Sequence, residues 1–176
     1  VLDSFFNFGY VRLADPLLRA MRRAVVDLAG LEPGQSVLDV CCGTGAQVYE
    51  YARNGFRATG LELDPGMLRR ASWYHDRSGG LNPALVLGDA ASMPFADGAF
   101  DLASISLALH EKDSDLQDAI IREMRRVVRS GGRFVLADFR VPLPRSFAGC
   151  GVRAIESAAG DKHHHNFRRY LQQGGL

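Results

Sequence analysis

The chain of 176 residues carries a formal net charge of +1, and 47% of its residues are hydrophobic while 23% are charged. This composition is ordinary for a globular protein, and a nearly neutral charge gives no general attraction to nucleic acid or to anionic membranes. No apolar run approaches the roughly 20 residues that a membrane-spanning helix needs.

Length and cysteine usage indicate one domain in a reducing compartment. The chain is long enough to bury a hydrophobic core of its own, so we expect a single domain over residues 1–176. Its cysteines are three in number, and Cys41 and Cys42 are adjacent. Because neighbouring cysteines rarely pair with each other, the sequence predicts free thiols and a cytoplasmic location.

Strand-like apolar runs alternate with helical periodicity along the chain. Asp15 followed by Pro16 is typical of a helix start, and Gly30 is expected to end that helix. Residues 1–30 are expected to form an N-terminal lid and helix, residues 35–139 a core, and residues 140–176 a helical tail. The next predicted elements are a strand over Val37–Val40, a helix from about Ala46 to Asn54, a strand over Arg57–Leu63, a helix from Asp64-Pro65 to about Asp76, a strand over Ala84–Leu87 and a strand within Phe100–Leu109.

A last helix of the core is predicted to begin at Ser114 as its cap. Its apolar positions follow the helical period at Leu116, Ala119, Ile120, Met124, Val127 and Val128. Gly131 and Gly132 are expected to end it before a fifth strand over Arg133–Phe139. Strands that alternate with helices predict a parallel sheet covered on both faces, with ligands beyond the carboxyl ends of the strands.

One acidic residue stands near the end of each of the first three predicted strands. These residues are Asp39, Glu62 and Asp89. A buried acid is costly unless something pairs with it, so core packing alone does not require them. Converging acids indicate a ligand rich in hydroxyls, N–H groups or positive charge.

A glycine turn, Gly43-Thr44-Gly45, follows the first strand. Glycine lets the backbone turn tightly and approach a ligand closely. A dinucleotide fingerprint needs another glycine three residues after Gly45, where this chain has Val48, and the Lys-Ser/Thr ending of a phosphate loop is absent. Glu62 follows Gly45 by seventeen residues, close to the distance at which an acid binds ribose hydroxyls. The pattern predicts a site for an adenosine-like group without a pyrophosphate.

An ordered series of motifs resembles the class I S-adenosylmethionine-dependent methyltransferases. The motifs are "VLDVCCGTG", "ATGLELDPGMLRRA", "LVLGDAASMPFADGAFD" and "EMRRVVRSGGRFVLADF". The chain is most similar to the small-molecule branch that includes the ubiquinone and menaquinone C-methyltransferases, over about Tyr10 to Phe139. The resemblance implies a Rossmann-like, doubly wound, mostly parallel α/β sheet with strand order 3-2-1-4-5, and S-adenosylmethionine as cofactor.

The resemblance also implies a role for individual residues. Asp39 and the backbone of Cys41, Cys42, Gly43, Thr44 and Gly45 would hold the methionine part, and Glu62 would bind the ribose hydroxyls. Leu63 and Met67 would pack on the adenine, Asp89 would accept from its amino group, and the Ala90 N–H would donate to a ring nitrogen. Ser106 would offer its carbonyl to the cofactor amino group, and Tyr10 would close over the site. The acids suit a ligand that is net positive, and the chain would mainly align an acceptor with an already activated methyl group.

Several residues have competing interpretations. Cys41 and Cys42 are candidate nucleophiles, although a buried cysteine is usually a small hydrophobic residue. His110 follows the fourth strand on the methyl-acceptor side, where it is either a general base or a pocket-lining histidine. The run His163–His165 invites a metal interpretation, but consecutive helical residues point about 100° apart, so we expect no metal.

The basic cluster in "IREMRRVVRSGG" is predicted to be the solvated face of an amphipathic helix. "SLAL" stands after the fourth strand, where base-amine methyltransferases carry an Asn/Asp-Pro-Pro-Tyr/Phe motif. Nucleic acid is therefore not expected as a partner, and the acceptor is expected to be a small molecule. Phe5, Phe6 and Phe8 are expected either to form a lid or to anchor the N-terminus.

The chain departs from the family at its C-terminal end. The usual antiparallel hairpin after the fifth helix is expected to be absent or truncated, because the 37 residues after Phe139 look helical. The fifth strand would then be an open edge, which a second copy in a homodimer could cover. The alternatives to a methyltransferase are a non-catalytic methyltransferase-like module and, disfavoured by Val48, a nicotinamide-dependent oxidoreductase.

Overall fold

The computed structural model describes residues 15–71, 75, 78–144, 152 and 161–175. The expected N-terminal lid, with Phe5, Phe6, Phe8 and Tyr10, lies outside the described residues. The elements are α1 (Asp15–Ala29), β1 (Ser36–Val40), α2 (Ala46–Arg53), β2 (Arg57–Glu62), α3 (Pro65–Arg70), β3 (Ala84–Leu87), β4 (Phe100–Ser106), a 3-10 turn (Leu109–Glu111), α4 (Ser114–Val127), β5 (Val128–Ala137) and α5 (Asp161–Gln173).

The described strands form one five-stranded sheet in the order β3-β2-β1-β4-β5. Every neighbouring pair is parallel, which confirms the predicted architecture and strand order. Asp39 of β1 stands beside Gly60 of β2 and Ser104 of β4. Because the strands are parallel, their carboxyl ends meet along one edge, and the segments that follow β1, β2, β3 and β4 lie there together.

Helices cover both faces of the sheet, each over its own hydrophobic cluster. On one face, Val25, Val26 and Ala29 of α1 pack with Val37 and with residues of α2, β2, β4 and β5. On the other face, α4 packs with alternate residues of the same strands, including Leu38 and Val40. The side chains of β1 thus alternate between two buried faces, as expected for a central parallel strand.

The boundaries of α4 differ from the sequence prediction at both ends. Asp113, and not Ser114, is the cap, because its carboxylate accepts a hydrogen bond from Leu116 N at 3.1 Å. The helix ends at Val127, before the glycine pair, because Val128 already pairs with Phe100 of β4. The register then shifts, so that Leu102 pairs with Arg133. The predicted fifth strand therefore begins five residues too late.

Two other boundaries agree with the sequence prediction as far as the structure describes them. Asp64 caps α3 through its carboxylate, which accepts from Gly66 N at 2.6 Å, and Pro65 occupies the first turn. Helix α3 ends at Arg70, and His75 is again helical, with its N–H donating to Ala71 O at 3.1 Å. Residues 72–74 and 76–77 lie outside the described residues, so the predicted helix end near Asp76 stays a prediction. Gly45 immediately precedes α2 with a left-handed φ of 77°.

Helix α5 packs on the segment that follows β5. Phe167, Tyr170 and Leu143 form a small buried cluster there, separate from the two clusters of the sheet.

Strand β5 is at the edge of the described sheet, and its Phe134 and Leu136 side chains are each 43% exposed. In the part of the chain that the structure describes, no helix is long and apolar enough to cross a membrane.

Candidate cofactor site

A cavity of about 630 Å³ opens at the carboxyl ends of β1, β2, β3 and β4. It brings together most of the residues that the sequence analysis assigned to the site. Lining it are Asp39, Cys41, Cys42, Gly43, Thr44, Glu62, Leu63, Met67, Asp89, Ala90, Ser106 and His110. Gly45 does not line the cavity but shapes the turn beneath it, and Tyr10 lies outside the described residues.

The turn between β1 and α2 forms one wall of the cavity with a tightly bent backbone. Cys41 has a φ of 56°, Gly43 of 57° and Gly45 of 77°, and Gly45 N donates to Cys42 O at 2.9 Å. A left-handed φ is rare outside glycine, so Cys41 carries backbone strain at this wall. Strain of this kind clusters where a loop is held in a functional shape.

The two cysteines in this turn have properties that argue against nucleophilic chemistry. Burial raises the pKa of the Cys41 thiol to about 12 and raises the pKa of Cys42 as well. A reactive cysteine needs a lowered pKa, because the thiolate is the nucleophile. Both thiols are free and remain protonated near neutral pH, so they serve as small side chains of the turn.

Asp39 is a buried acid at the floor of the cavity. It is 3% exposed, and its Oδ1 accepts a hydrogen bond from Ser104 Oγ at 2.8 Å. Burial raises the pKa of this carboxyl to about 7, although the hydrogen bond from Ser104 and the charge of Arg22 both act to lower it. Burial disfavours the ionised form of Asp39, and a positively charged ligand group beside it would favour that form again.

Glu62 joins the end of β2 to the glycine turn. Its Oε2 accepts from Gly43 N at 2.9 Å, and its Oε1 accepts from Leu63 N and Asp64 N, each at 2.9 Å. Three backbone N–H groups therefore hold the carboxylate in one orientation at the cavity wall. The same acid that the sequence analysis assigned to the ribose thus also fixes the relative position of two cavity-lining loops.

The wall beyond β3 carries an exposed acid and a buried small residue. Asp89 Oδ1 accepts from Ala91 N at 2.8 Å, and the turn continues with Ser92 N donating to Asp89 O at 3.1 Å. Ala90 is 7% exposed, whereas Leu63, which follows β2 and also lines the cavity, is 65% exposed. An exposed leucine beside a cavity offers an apolar surface that a flat aromatic ligand can cover.

Gln47 and Arg22 line the cavity and were missed by the sequence analysis. Gln47 is 5% exposed; its Nε2 donates to Arg22 O at 3.3 Å, while its Oε1 has no hydrogen-bond partner among the described residues. A buried acceptor without a partner is costly, which indicates a donor supplied by a ligand. The helical spacing of Leu18, Met21, Arg22 and Val25 could have placed Arg22 on the inward face of α1.

A buried histidine–aspartate pair stands at the cavity wall, where His110 lines the cavity. His110 Nδ1 lies 2.7 Å from Asp138 Oδ1, and the His110 backbone N–H donates to Asp138 Oδ2 at 3.1 Å. The two side chains are 3% and 1% exposed. The rings of Phe139 and Phe167 pack against the imidazole at centroid distances of 4.8 and 5.7 Å. Asp138 follows β5, so neighbouring parallel strands bring the pair together.

The three consecutive histidines of α5 do not act as a unit. His163 Nδ1 lies 3.0 Å from Glu111 Oε2 and lines the cavity, whereas His165 is exposed. Glu111 also contacts the Lys112 ammonium. Among the described residues, no group of histidine, cysteine and acidic side chains is arranged to hold a metal ion.

The donors and acceptors of the cavity fit S-adenosylmethionine. Asp39, Glu62 and Asp89 supply negative charge, the orphaned Gln47 Oε1 supplies an acceptor, and Arg22 supplies one positive charge. This set matches a ligand with a sulfonium, an ammonium, a carboxylate and an adenosine group. The turn has no lysine or serine of a phosphate-binding loop, so the chemistry of the wall agrees with a nucleoside that lacks phosphates.

Known proteins provide an independent comparison. A family model described as "Methyltransferase domain" matches residues 37–132. The demethylmenaquinone methyltransferase of Beutenbergia cavernae is 39% identical over 124 residues, which are 70% of this chain and 49% of that protein. The chain therefore spans about half the length of the curated relatives that it matches.

Solved structures share the fold. A SAM-dependent methyltransferase from Methanosarcina mazei superimposes with a TM-score of 0.54 and 28% identity, covering 60% of this chain and 52% of that one. The [4+2]-cyclase SpnF superimposes with a TM-score of 0.57 and 31% identity, covering 62% and 40%. Since the family model covers more than half of the sequence, the chain belongs to the methyltransferase domain family and has its Rossmann-like fold.

Proposed function

We propose that this chain transfers a methyl group from S-adenosylmethionine to a small-molecule acceptor. The observation that carries the proposal is the convergence of Asp39, Glu62 and Asp89 on one cavity from the ends of three neighbouring strands. Family membership supports the reaction class, and the relatives named as demethylmenaquinone methyltransferases support a small acceptor.

The methionine end of the ligand would be held at the turn after β1. Asp39 and the backbone of residues 41–45 would contact it, Gln47 Oε1 would accept a hydrogen bond from its ammonium, and Arg22 would attract its carboxylate. The Ser106 carbonyl would accept from the same ammonium. These contacts give the orphaned acceptor of Gln47 a partner and place opposite charges near both ends of the amino acid group.

The adenosine end would be held by the neighbouring loops. Glu62 would accept from the ribose hydroxyls, with Leu63 and Met67 on the adenine ring. Asp89 would accept from the adenine amino group, and the Ala90 N–H would donate to a ring nitrogen. The exposed Leu63 side chain and the exposed Asp89 carboxylate are the surfaces that such contacts would cover.

Methyl transfer would depend mainly on the alignment of the acceptor with the methyl group, and less on an acid or base catalyst. When bound, S-adenosylmethionine supplies a methyl group that its sulfonium already activates, and the cavity wall would orient the acceptor in line with the bond that breaks. His110 is the candidate base. A carboxylate such as Asp138 only accepts, so Nδ1 carries the proton and Nε2 is the nitrogen that can receive one.

Calorimetric titration with S-adenosylhomocysteine tests the cofactor part of this proposal directly. We expect saturable binding by the folded chain, and a folded chain that shows none contradicts the proposal. Methyl transfer from labelled S-adenosylmethionine into a cell extract then identifies the acceptor by the labelled product.

A non-catalytic or differently acting methyltransferase-like protein is the second candidate. The similar structure titled as a [4+2]-cyclase favours it, because that title names a reaction other than methyl transfer. Binding of S-adenosylhomocysteine without methyl transfer to any of a wide metabolite panel would support this candidate. Binding of NAD(H), with none of S-adenosylhomocysteine, would instead support an oxidoreductase.

A further inference from the structure

Arg126, in the last turn of α4, uses all five N–H groups of its guanidinium. Nε donates to Glu123 Oε1 at 2.8 Å, and Nη2 donates to Glu123 Oε2 at 2.8 Å and to Met93 O at 2.9 Å. Nη1 donates to Phe95 O at 2.7 Å and to Asp97 Oδ1 at 2.8 Å. A guanidinium has five donors in a rigid fork, so this side chain is fully engaged.

Glu123 and the helix backbone complete the attachment of the segment 93–98 to α4. Glu123 Oε2 accepts from Met93 N at 2.6 Å, and Arg126 O accepts from Gly98 N at 2.9 Å. The segment is thus bound at its first residue, in its middle and at its end. We call Arg126 and Glu123 together the α4 clamp.

The clamped segment is continuous with the cavity wall that carries Asp89 and Ala90. Between Asp89 and the clamped Met93 lies one turn, closed by the hydrogen bonds of Ala91 N and Ser92 N to Asp89. Ala90 and Met93 are both buried in the core cluster beneath the sheet. A movement of Met93 would therefore be transmitted through this short turn to Asp89.

The clamp distinguishes Arg126 from the other arginines of α4. Arg122 and Arg125 are exposed, in agreement with the predicted solvated face, whereas the Arg126 side chain is 32% exposed and its donors all point to partners. Neither Arg126 nor Glu123 lines the cavity, so any effect on a ligand must pass through the segment that they hold.

We propose that Arg126 and Glu123 are positioning residues for the cofactor site, which act by holding the Asp89–Ala90 turn in the shape that receives the adenine. This inference rests on the proposed function, in which Asp89 and Ala90 contact the adenine. A clamp that served stability alone would change the melting temperature but would leave the affinity of the folded protein for the ligand unchanged.

The test is a titration of the full chain with S-adenosylhomocysteine, with Arg125→Gln as the matched control. We expect Arg126→Gln to weaken binding by about tenfold, because the charged hydrogen bonds to the segment 93–98 are lost and the adjoining Asp89–Ala90 turn is no longer held. Arg125→Gln should leave binding unchanged. Arg126→Lys should also weaken binding, since an ammonium cannot reproduce the bidentate fork. Should Arg126→Gln not fold, Glu123→Gln is measured in its place with the same expectation.

A double-mutant cycle tests whether the clamp affects binding through its positioning of Asp89. The affinity for S-adenosylhomocysteine is measured in Asp89→Asn, in Arg126→Gln and in the double variant. If the clamp acts through the Asp89–Ala90 turn, adding Arg126→Gln to Asp89→Asn should weaken binding by clearly less than the factor of about tenfold expected in the wild type, because the part of the effect that passes through Asp89 is already lost. Clamp variants that fold and bind like the wild type, or a fully additive cycle, overturn the inference. A wild-type chain that does not bind at all contradicts the proposed function itself, which is a distinguishable result.

Discussion

Asp39 and Ser104 stand side by side on the parallel strands β1 and β4, and Ser104 Oγ donates to the Asp39 carboxylate at 2.8 Å. Both residues are buried, at 3% and 0% exposure. One hydroxyl cannot replace the hydration that a carboxylate loses on burial, which is why the pKa of Asp39 is raised to about 7. The stability of the folded protein therefore depends on whether the Asp39 carboxyl is ionised.

Replacing Asp39 by asparagine should stabilise the ligand-free protein at mildly basic pH. Because the pKa of Asp39 is raised in the folded state, the folded protein disfavours the ionised form, and stability falls as pH rises from about 4 to about 7. The amide introduced by Asp39→Asn keeps an acceptor for Ser104 but carries no charge. Thermal unfolding should show a higher melting temperature than the wild type at about pH 8, and a shrinking difference towards pH 4. Asp27→Asn, on the exposed side of α1, should show no such trend.

Cofactor affinity should rise with pH through the same group. A positively charged ligand group favours the Asp39 carboxylate, so binding lowers its pKa from about 7 and releases a proton. Affinity for S-adenosylhomocysteine should increase by up to about tenfold per unit between about pH 6 and pH 7 and then level off. Calorimetry in buffers of different ionisation enthalpy measures the released proton. A flat affinity profile for the wild type, matching that of Asp39→Asn, would show that Asp39 does not contact the charged part of the ligand.

Removal of the Glu62 carboxylate should weaken cofactor binding by more than the loss of its hydrogen bonds to the ribose alone would. Glu62 also holds Gly43 N, Leu63 N and Asp64 N, so Glu62→Ala loses a ligand contact and loosens two loops. We expect binding of S-adenosylhomocysteine to weaken by about 1–3 kcal/mol or more. Glu32→Ala, in the exposed turn before β1, is the control. Unchanged affinity in folded Glu62→Ala would place the ribose elsewhere.

Substitution of His110 should slow methyl transfer while leaving cofactor affinity intact. If Nε2 receives a proton from the acceptor, His110→Gln should lower kcat by about 10²–10⁴-fold. Asp138→Asn should lower kcat as well, because the asparagine no longer fixes the proton on Nδ1. Rates are measured with the acceptor identified from labelled extract, and His165→Gln is the exposed control. Wild-type kcat in His110→Gln would restrict the pair to a structural role.

Local patterns predicted the features that depend on neighbouring residues in the chain. The period of apolar residues identified the helices and strands, and because parallel strands end along one edge, acids at positions 39, 62 and 89 were expected to converge. The strand order 3-2-1-4-5 came from the family resemblance and was confirmed. The Asp-Pro pair predicted the start of α3 correctly, because Asp64 caps a helix that has no buried residues and so is set by its local sequence.

Contacts between distant segments could not be read in the same way. Asp138 lies 28 residues from His110, and Arg126 lies 33 residues from Met93, so neither pairing leaves a periodic signal in the sequence. The start of β5 was misplaced for the same reason, since pairing of Val128 with Phe100 overrides the expectation that Gly131 ends the helix. Gln47 has an inward position set by the fold of the turn rather than by its own chemistry.

Asp101 should stabilise the fold in a strictly pH-dependent way. Its Oδ2 accepts from Ser36 N at 2.7 Å and Ser36 Oγ at 2.8 Å, and its Oδ1 accepts from Arg129 Nε at 2.7 Å, which ties β1 to β4 and β5. These hydrogen bonds lower the pKa of Asp101 to about 2. A lowered pKa means that the stabilisation is present above about pH 4 and is lost as pH falls through about 2.

Asp101→Asn should reduce the free energy of unfolding by about 1–3 kcal/mol near pH 7. In urea titrations this deficit should shrink as the pH approaches 2, whereas Asp118→Asn, exposed on α4, should match the wild type throughout. A deficit that stays constant from neutral to acid pH would mean that the carboxylate charge contributes nothing and that only the shape of the side chain matters.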